Sequence, residues 1–156
     1  MTVSRGFGRI LEIPEVNIGI FAFLLNYPWE FLQVPFFAGM AAAPHWPAVL
    51  FCTRAAAGDA AIAVAAYWIV AAMVRRRAWV TTPSMRHVVG FVAAGLVITM
   101  IVERLATDVW HRWEYAAIMP TLPVFGTGVV PLIQWMVLPP LVVWFVRRQL
   151  AGTAPG

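Results

Sequence analysis

Four stretches of this chain, at about 16–38, 48–74, 88–107 and 129–146, are each long and apolar enough to cross a membrane. A helix rises 1.5 Å per residue, so roughly 20 apolar residues span the hydrocarbon. Only 12% of the 156 residues are charged and 62% are hydrophobic, with a mean hydropathy of +0.78. Soluble domains average about 25% charged residues, so the sequence predicts an all-α polytopic membrane protein, a four-helix transmembrane bundle. Prolines at 28 and 35, and the pair Pro139–Pro140, predict kinks in helices 1 and 4. The expected organisation is a polar lead at 1–15, one four-span domain at 16–146 and a tail at 147–156. No removable signal peptide is expected.

All 11 basic residues are arginine, and they concentrate at span ends. With four spans, Arg5, Arg9, Arg75, Arg76, Arg77, Arg86, Arg147 and Arg148 share one side, against Arg54, Arg104 and Arg112 on the other. The positive-inside rule then places both termini in the cytoplasm and the chain in a bacterial inner membrane. The net charge of +4 describes this orientation, and no nucleic-acid partner is implied. A single cysteine, Cys52, excludes an internal disulfide and reads as a packing residue. Of the eight tryptophans, Trp29, Trp46, Trp110 and Trp113 fall near the outer boundary and Trp79 near the inner one, as in an aromatic belt.

Within the first span, Asn26, Glu30 and Gln33 are spaced i, i+4, i+7 and share one helix face. Charge inside a bilayer is expensive and faces the bundle interior or a partner. In the predicted orientation Asn26, Glu30 and Gln33, then Arg54 and Asp59, then Glu103 and Arg104, then Gln134 all fall in the outer half of their spans. The inner half is almost purely apolar. This clustering predicts one polar pocket, with Glu30, Asp59 and Glu103 as the acid/base group. Asn26, Gln33, Arg54, Arg104, His111, Tyr115 and Gln134 are the candidate ligand-binding residues. The plainer alternative is a structural ion-pair network in which Arg54 and Arg104 are the counter-ions.

If the third helix continues past its span, Glu103, Thr107, Trp110 and Glu114 form one stripe and Arg104, Asp108, His111 and Tyr115 the next. Asp108, His111 and Glu114, with His45, carry donors that suit iron or zinc. A solvated interfacial helix is the preferred reading of that segment, and neither a metal nor a cofactor is assigned.

The motifs Asn26–Gln33, Gly58-Asp59-Ala60, Arg112-Trp113-x-Tyr115 with Met119-Pro120, and Pro131-Leu132-Ile133-Gln134-Trp135 resemble a widespread family of small, uncharacterised bacterial membrane proteins. The resemblance implies a fold but no activity. Glu103 followed by Trp113-x-Tyr115 is faintly similar to membrane carotenoid cyclases and hydratases, without the double-acid motif usual in the cyclases. The leading expectation is binding or acid/base conversion of a lipophilic isoprenoid or lipid. A small transporter or proton-coupled carrier is the second. The third is an accessory subunit of a larger membrane complex; self-association into a homo-oligomer also stays open.

Overall fold

The computed structural model describes residues 10–152, which are all-helical with no strand. The expectations for 1–9 and 153–156 lie outside the described residues. Four helices follow in order: α1 Pro14–Leu32, α2 His45–Met73, α3 Met85–Arg104 and α4 Val129–Gly152. Each packs on its neighbours in the chain, and α1 closes the ring against α4.

The boundaries follow from local chemistry. Pro14 opens α1 at the first helical position, where a missing N–H is harmless. Pro35 has no N–H to continue the α-helical hydrogen bonds, so α1 stops at Leu32 rather than running to 38, and a 3₁₀ turn, Val34–Phe36, follows. Ser84 caps α3 three residues before the expected span: its Oγ accepts the His87 N–H at 3.4 Å, and its own N–H donates to His87 Nδ1 at 3.2 Å. At the far end α4 does not stop at 146. It continues to Gly152, and Arg148 lies 4.8 Å from the Trp144 ring centroid. Both α1 and α4 run on through their internal prolines.

Three helices, His45–Met73, Met85–Val109 (α3 with its following turn) and Val129–Gly152, are long and apolar enough to cross a membrane. The outside of the bundle is apolar to match, with Leu50, Trp68, Met73, Val97, Ile101, Met136 and Trp144 all exposed. Exposed apolar surface on that scale marks contact with lipid or protein. The first helix is outside that set because Glu15, Asn17, Asn26 and Glu30 dilute it. Asn17, Asn26 and Glu30 are buried, however, while Ile20, Leu24, Phe31 and Leu32 are exposed. Its polar residues face the bundle and its outer face is apolar.

The core lies toward the end of the bundle that carries the 74–84 link. Ile18, Ala22, Ala66, Tyr67, Val70, Phe91, Val142 and Val146 pack there around Trp79. Trp79 is fully buried against the bundle: its ring stacks on Tyr67, and its Nε1 donates to the Tyr67 carbonyl at 3.2 Å. The Tyr67 hydroxyl donates to the Arg77 carbonyl, and Arg77 pairs with Glu15 at 2.5 Å. Midway along the bundle Trp135 lies directly on Gly95, where a β-carbon would fall 2.0 Å from the indole. Only glycine admits that ring.

Candidate functional site: a carboxyl-lined cavity

Toward the opposite end the four helices part around a cavity of about 260 Å3. Every helix contributes a polar residue to its wall: Glu30 and Gln33 from α1, Arg54 and Asp59 from α2, Thr99 and Glu103 from α3, and Gln134 from α4. Phe37, Phe51, Ile62, Val102, Trp110, Trp113 and Pro131 supply apolar surface. Burial sets the depth. Glu30, Gln33, Thr99, Glu103 and Gln134 are buried, Asp59 is half-buried, and Arg54, Gly58, Trp110 and Arg112 are exposed at the lip. A β-carbon at Gly58 would meet nothing within 4 Å, so that glycine borders open space.

The deepest arrangement is centred on one amide. Gln134 Nε2 lies 2.6 Å from Asn26 Oδ1, 2.9 Å from Asp59 Oδ2 and 3.2 Å from Glu30 Oε1. An amide nitrogen carries two hydrogens, so three acceptors share two donors. Asn26 is itself anchored, its Nδ2 donating to the Ala22 carbonyl at 2.8 Å. Through the Gln134 amide, Glu30 of α1 and Asp59 of α2 are brought to one point against α4.

Glu103 is held differently. Its Oε2 accepts from the Tyr115 hydroxyl and, at 3.4 Å, from Trp113 Nε1. The Tyr115 oxygen in turn accepts the Gly128 N–H at 3.0 Å. Burial, and then the neighbouring Glu103 carboxylate, push the Tyr115 phenol above its ordinary range. One carboxylate is thus tied to a phenol and an indole while the other two share one amide.

The segment after α3 places the tryptophans. It turns as a π-helical Leu105–Val109, with Trp110 N–H donating to the Leu105 carbonyl at 2.8 Å, and then leaves the helix. His111 takes a positive φ of 48°. The expected continuation of the helix through Tyr115 therefore does not occur, and neither stripe forms. The chain instead folds back across the cavity. Ala38 N–H donates to the Glu114 carbonyl and Ala116 N–H to the Phe36 carbonyl, both at 2.9 Å. This short antiparallel pairing of Phe37 with Tyr115 puts Trp110, Arg112 and Trp113 over the opening.

Of the ten residues singled out from the sequence, Glu30, Gln33, Arg54, Asp59, Glu103 and Gln134 line this cavity. Asn26 and Tyr115 touch it through Gln134 and Glu103. Two do not reach it. Arg104 turns outward, pairing with Asp108 at 2.8 Å and donating to the Phe125 carbonyl at 3.3 Å. His111 is exposed, its Nδ1 3.1 Å from the Thr107 carbonyl. The expected counter-ions are not used either. Among the described residues the ion pairs are Arg77–Glu15 and Arg104–Asp108, and neither involves the three cavity carboxyl groups. Asp108, His111, Glu114 and His45 do not assemble: among the described residues no group of three or more His, Cys, Asp or Glu is placed to hold a metal ion. Sequence reasoning missed Thr99, Phe51 and Phe37, which carry no pattern beyond an apolar helix or loop.

No protein family, curated protein or solved structure matches the chain.

Proposed function

We propose that this chain is a four-span inner-membrane protein whose cavity binds a lipophilic molecule, an isoprenoid or a lipid, and acts on it by acid/base chemistry. The observation that carries this reading is the cavity wall. Three carboxyl groups from three different helices border one space among aromatic rings, with no ion pair to any of them. A packing device would close such groups against partners, because an unpaired buried charge is strongly destabilising. The first helix completes the membrane domain, since its apolar outer face suits lipid and its polar face is buried. Pro28 and the Pro139–Pro140 pair bend α1 and α4. Both termini lie in the cytoplasm, and the cavity opens toward the outer leaflet. The Glu30–Asp59 pair is the proton donor and acceptor, and Glu103, held by Tyr115 and Trp113, is the fixed negative charge near it. From the motifs Asn26–Gln33, Gly58–Asp59 and Pro131–Trp135, the residues Glu30, Gln33, Gly58, Asp59, Pro131 and Gln134 line the wall.

The test is occupancy. Gly58→Trp adds an indole at the lip, from a position where a β-carbon meets nothing within 4 Å. Organic extracts of the purified wild type, analysed by mass spectrometry, should contain a lipophilic species that the folded Gly58→Trp variant lacks. The same extract from both proteins would overturn the reading.

A further inference from the structure

The hydrogen-bonding roles on the deep wall are one-sided. Gln33 Oε1 is buried without a partner and accepts only. The carboxyl groups of Glu30, Asp59 and Glu103 offer six oxygens, of which Glu30 Oε1, Asp59 Oδ2 and Glu103 Oε2 receive side-chain donors. Against these stand few donors. The Gln134 amide is already shared among three acceptors, Trp113 Nε1 is already turned to Glu103, and Gln33 Nε2 adds one further amide donor to the wall. Thr99 Oγ1, also buried without a partner, can serve either way. A molecule that enters must therefore bring hydrogens to donate.

The geometry points to a lipophilic amine as the ligand: an apolar chain whose protonated amine sits against Glu30, Asp59 and Gln33. This deepens the lipophile-binding reading above and rests on it. A hydroxyl donates one hydrogen, whereas an ammonium donates three and supplies the positive charge that no side chain brings to these carboxyl groups. Phe37, Phe51 and Trp113 line the cavity with aromatic surface, which suits both that cation and the first methylenes. The cations of the cavity, Arg54 and Arg112, are exposed at the lip, where water screens them. An anionic amphiphile would stop there with its headgroup and leave the deep acceptors unserved. At about 260 Å3 the cavity is near the lower end of ligand sites, ~300–1,000 Å3. It takes the polar head and the start of the chain, and the remainder lies in the bilayer.

The experiment uses the full chain in phosphatidylcholine nanodiscs at pH 7 and three probes of one chain length: dodecylamine, dodecanol and dodecanoate. Binding is read from Tm and from tryptophan fluorescence. Only the part lost in Gly58→Trp is counted as cavity binding. Dodecylamine should bind at least tenfold more tightly than the other two. Glu30→Gln combined with Asp59→Asn should remove that preference while leaving dodecanol unchanged. Should the double variant not fold, dodecyltrimethylammonium serves on the wild type. It keeps the charge, lacks N–H donors, and should bind at least tenfold more weakly than dodecylamine. Cavity binding of dodecanol or dodecanoate as tight as the amine would overturn the amine assignment and leave the lipophile reading standing. So would equal binding of the trimethyl analogue, or an amine preference that survives the double variant. Absence of cavity binding by all three probes would overturn both.

Discussion

Gln134→Leu removes the amide that joins three helices while keeping nearly the same volume. The wild-type amide makes contacts of 2.6, 2.9 and 3.2 Å to α1 and α2 from its place on α4. Interhelical hydrogen bonds in membranes average about 0.6 kcal/mol and reach roughly 1.7. Two hydrogens make two full bonds at a time, about 1 kcal/mol, with an upper limit near 3 if both sit at that maximum. Leucine fills the site, so little of the loss comes from a void. The substitution should therefore lower stability by about 1 kcal/mol.

Reversible unfolding in mixed micelles, titrated with a denaturing detergent, measures this directly. A double-mutant cycle apportions it. In a background of Glu30→Gln and Asp59→Asn, the acids that pull on the amide are gone and only the Asn26 contact keeps its original acceptor. There Gln134→Leu should be less damaging, by roughly 0.6 kcal/mol, the weight of the one average bond that the two acids share. A neutral or stabilising Gln134→Leu in the otherwise unchanged chain would refute the claim that this amide holds the acids in place. So would a cost identical in both backgrounds.

Gly95→Ala should destabilise by about 1–3 kcal/mol through overpacking, since its β-carbon would fall 2.0 Å from Trp135 Cζ3; a thermal melt in detergent reads this, and Trp135→Leu should relieve it. Tyr115→Phe should flatten the alkaline limb of the stability curve. An unfolded tyrosine loses its proton near pH 10, while the folded Tyr115 keeps it to higher pH. Above pH 10 the folded state then binds more protons, and stability falls as pH rises; unfolding midpoints from pH 8.5 to 11 for both proteins test it, and parallel curves would exclude the contribution. Single cysteines test orientation in a Cys52→Ala chain. Met85→Cys and Val124→Cys are both exposed sites, and an impermeant maleimide added to intact cells should label Val124→Cys alone.

The helices and the face of α1 could be read from the sequence because both depend on short-range periodicity. Apolar runs of bilayer length set α2, α3 and α4. The i, i+4, i+7 spacing of Asn26, Glu30 and Gln33 determines their common direction whatever surrounds the helix. Their shared burial at 5% exposure each follows from that spacing. The clustering of Asp59, Glu103 and Gln134 at the same depth could be read for a related reason: spans of similar length leave little freedom along the bundle axis.

The pairing of charges could not be read that way, and helix geometry says why. Arg54 and Asp59 are five residues apart, so they point about 140° from each other around α2 at 100° per residue. Glu103 and Arg104 are adjacent and diverge by about 100°. Arg104 cannot turn back to Glu103 without leaving its own face, and Arg54, though it borders the same cavity as Asp59, stays at the exposed lip. Arg104 finds Asp108 instead, four residues on, at 2.8 Å. The segment over the cavity was hidden more deeply. Its course depends on backbone hydrogen bonds between 36–38 and 114–116, which side-chain pattern does not encode. Those bonds bring Tyr115 to Glu103 by a route other than the helix expected there. Two residues assigned to one site on the premise of a continuous helix, His111 and Tyr115, consequently part company. Tyr115 becomes the support of a cavity carboxylate, and His111 stays at the surface. The spacing rule failed where the helix ended, and the chemistry at Tyr115 survived because the returning loop, not the helix, delivers its hydroxyl.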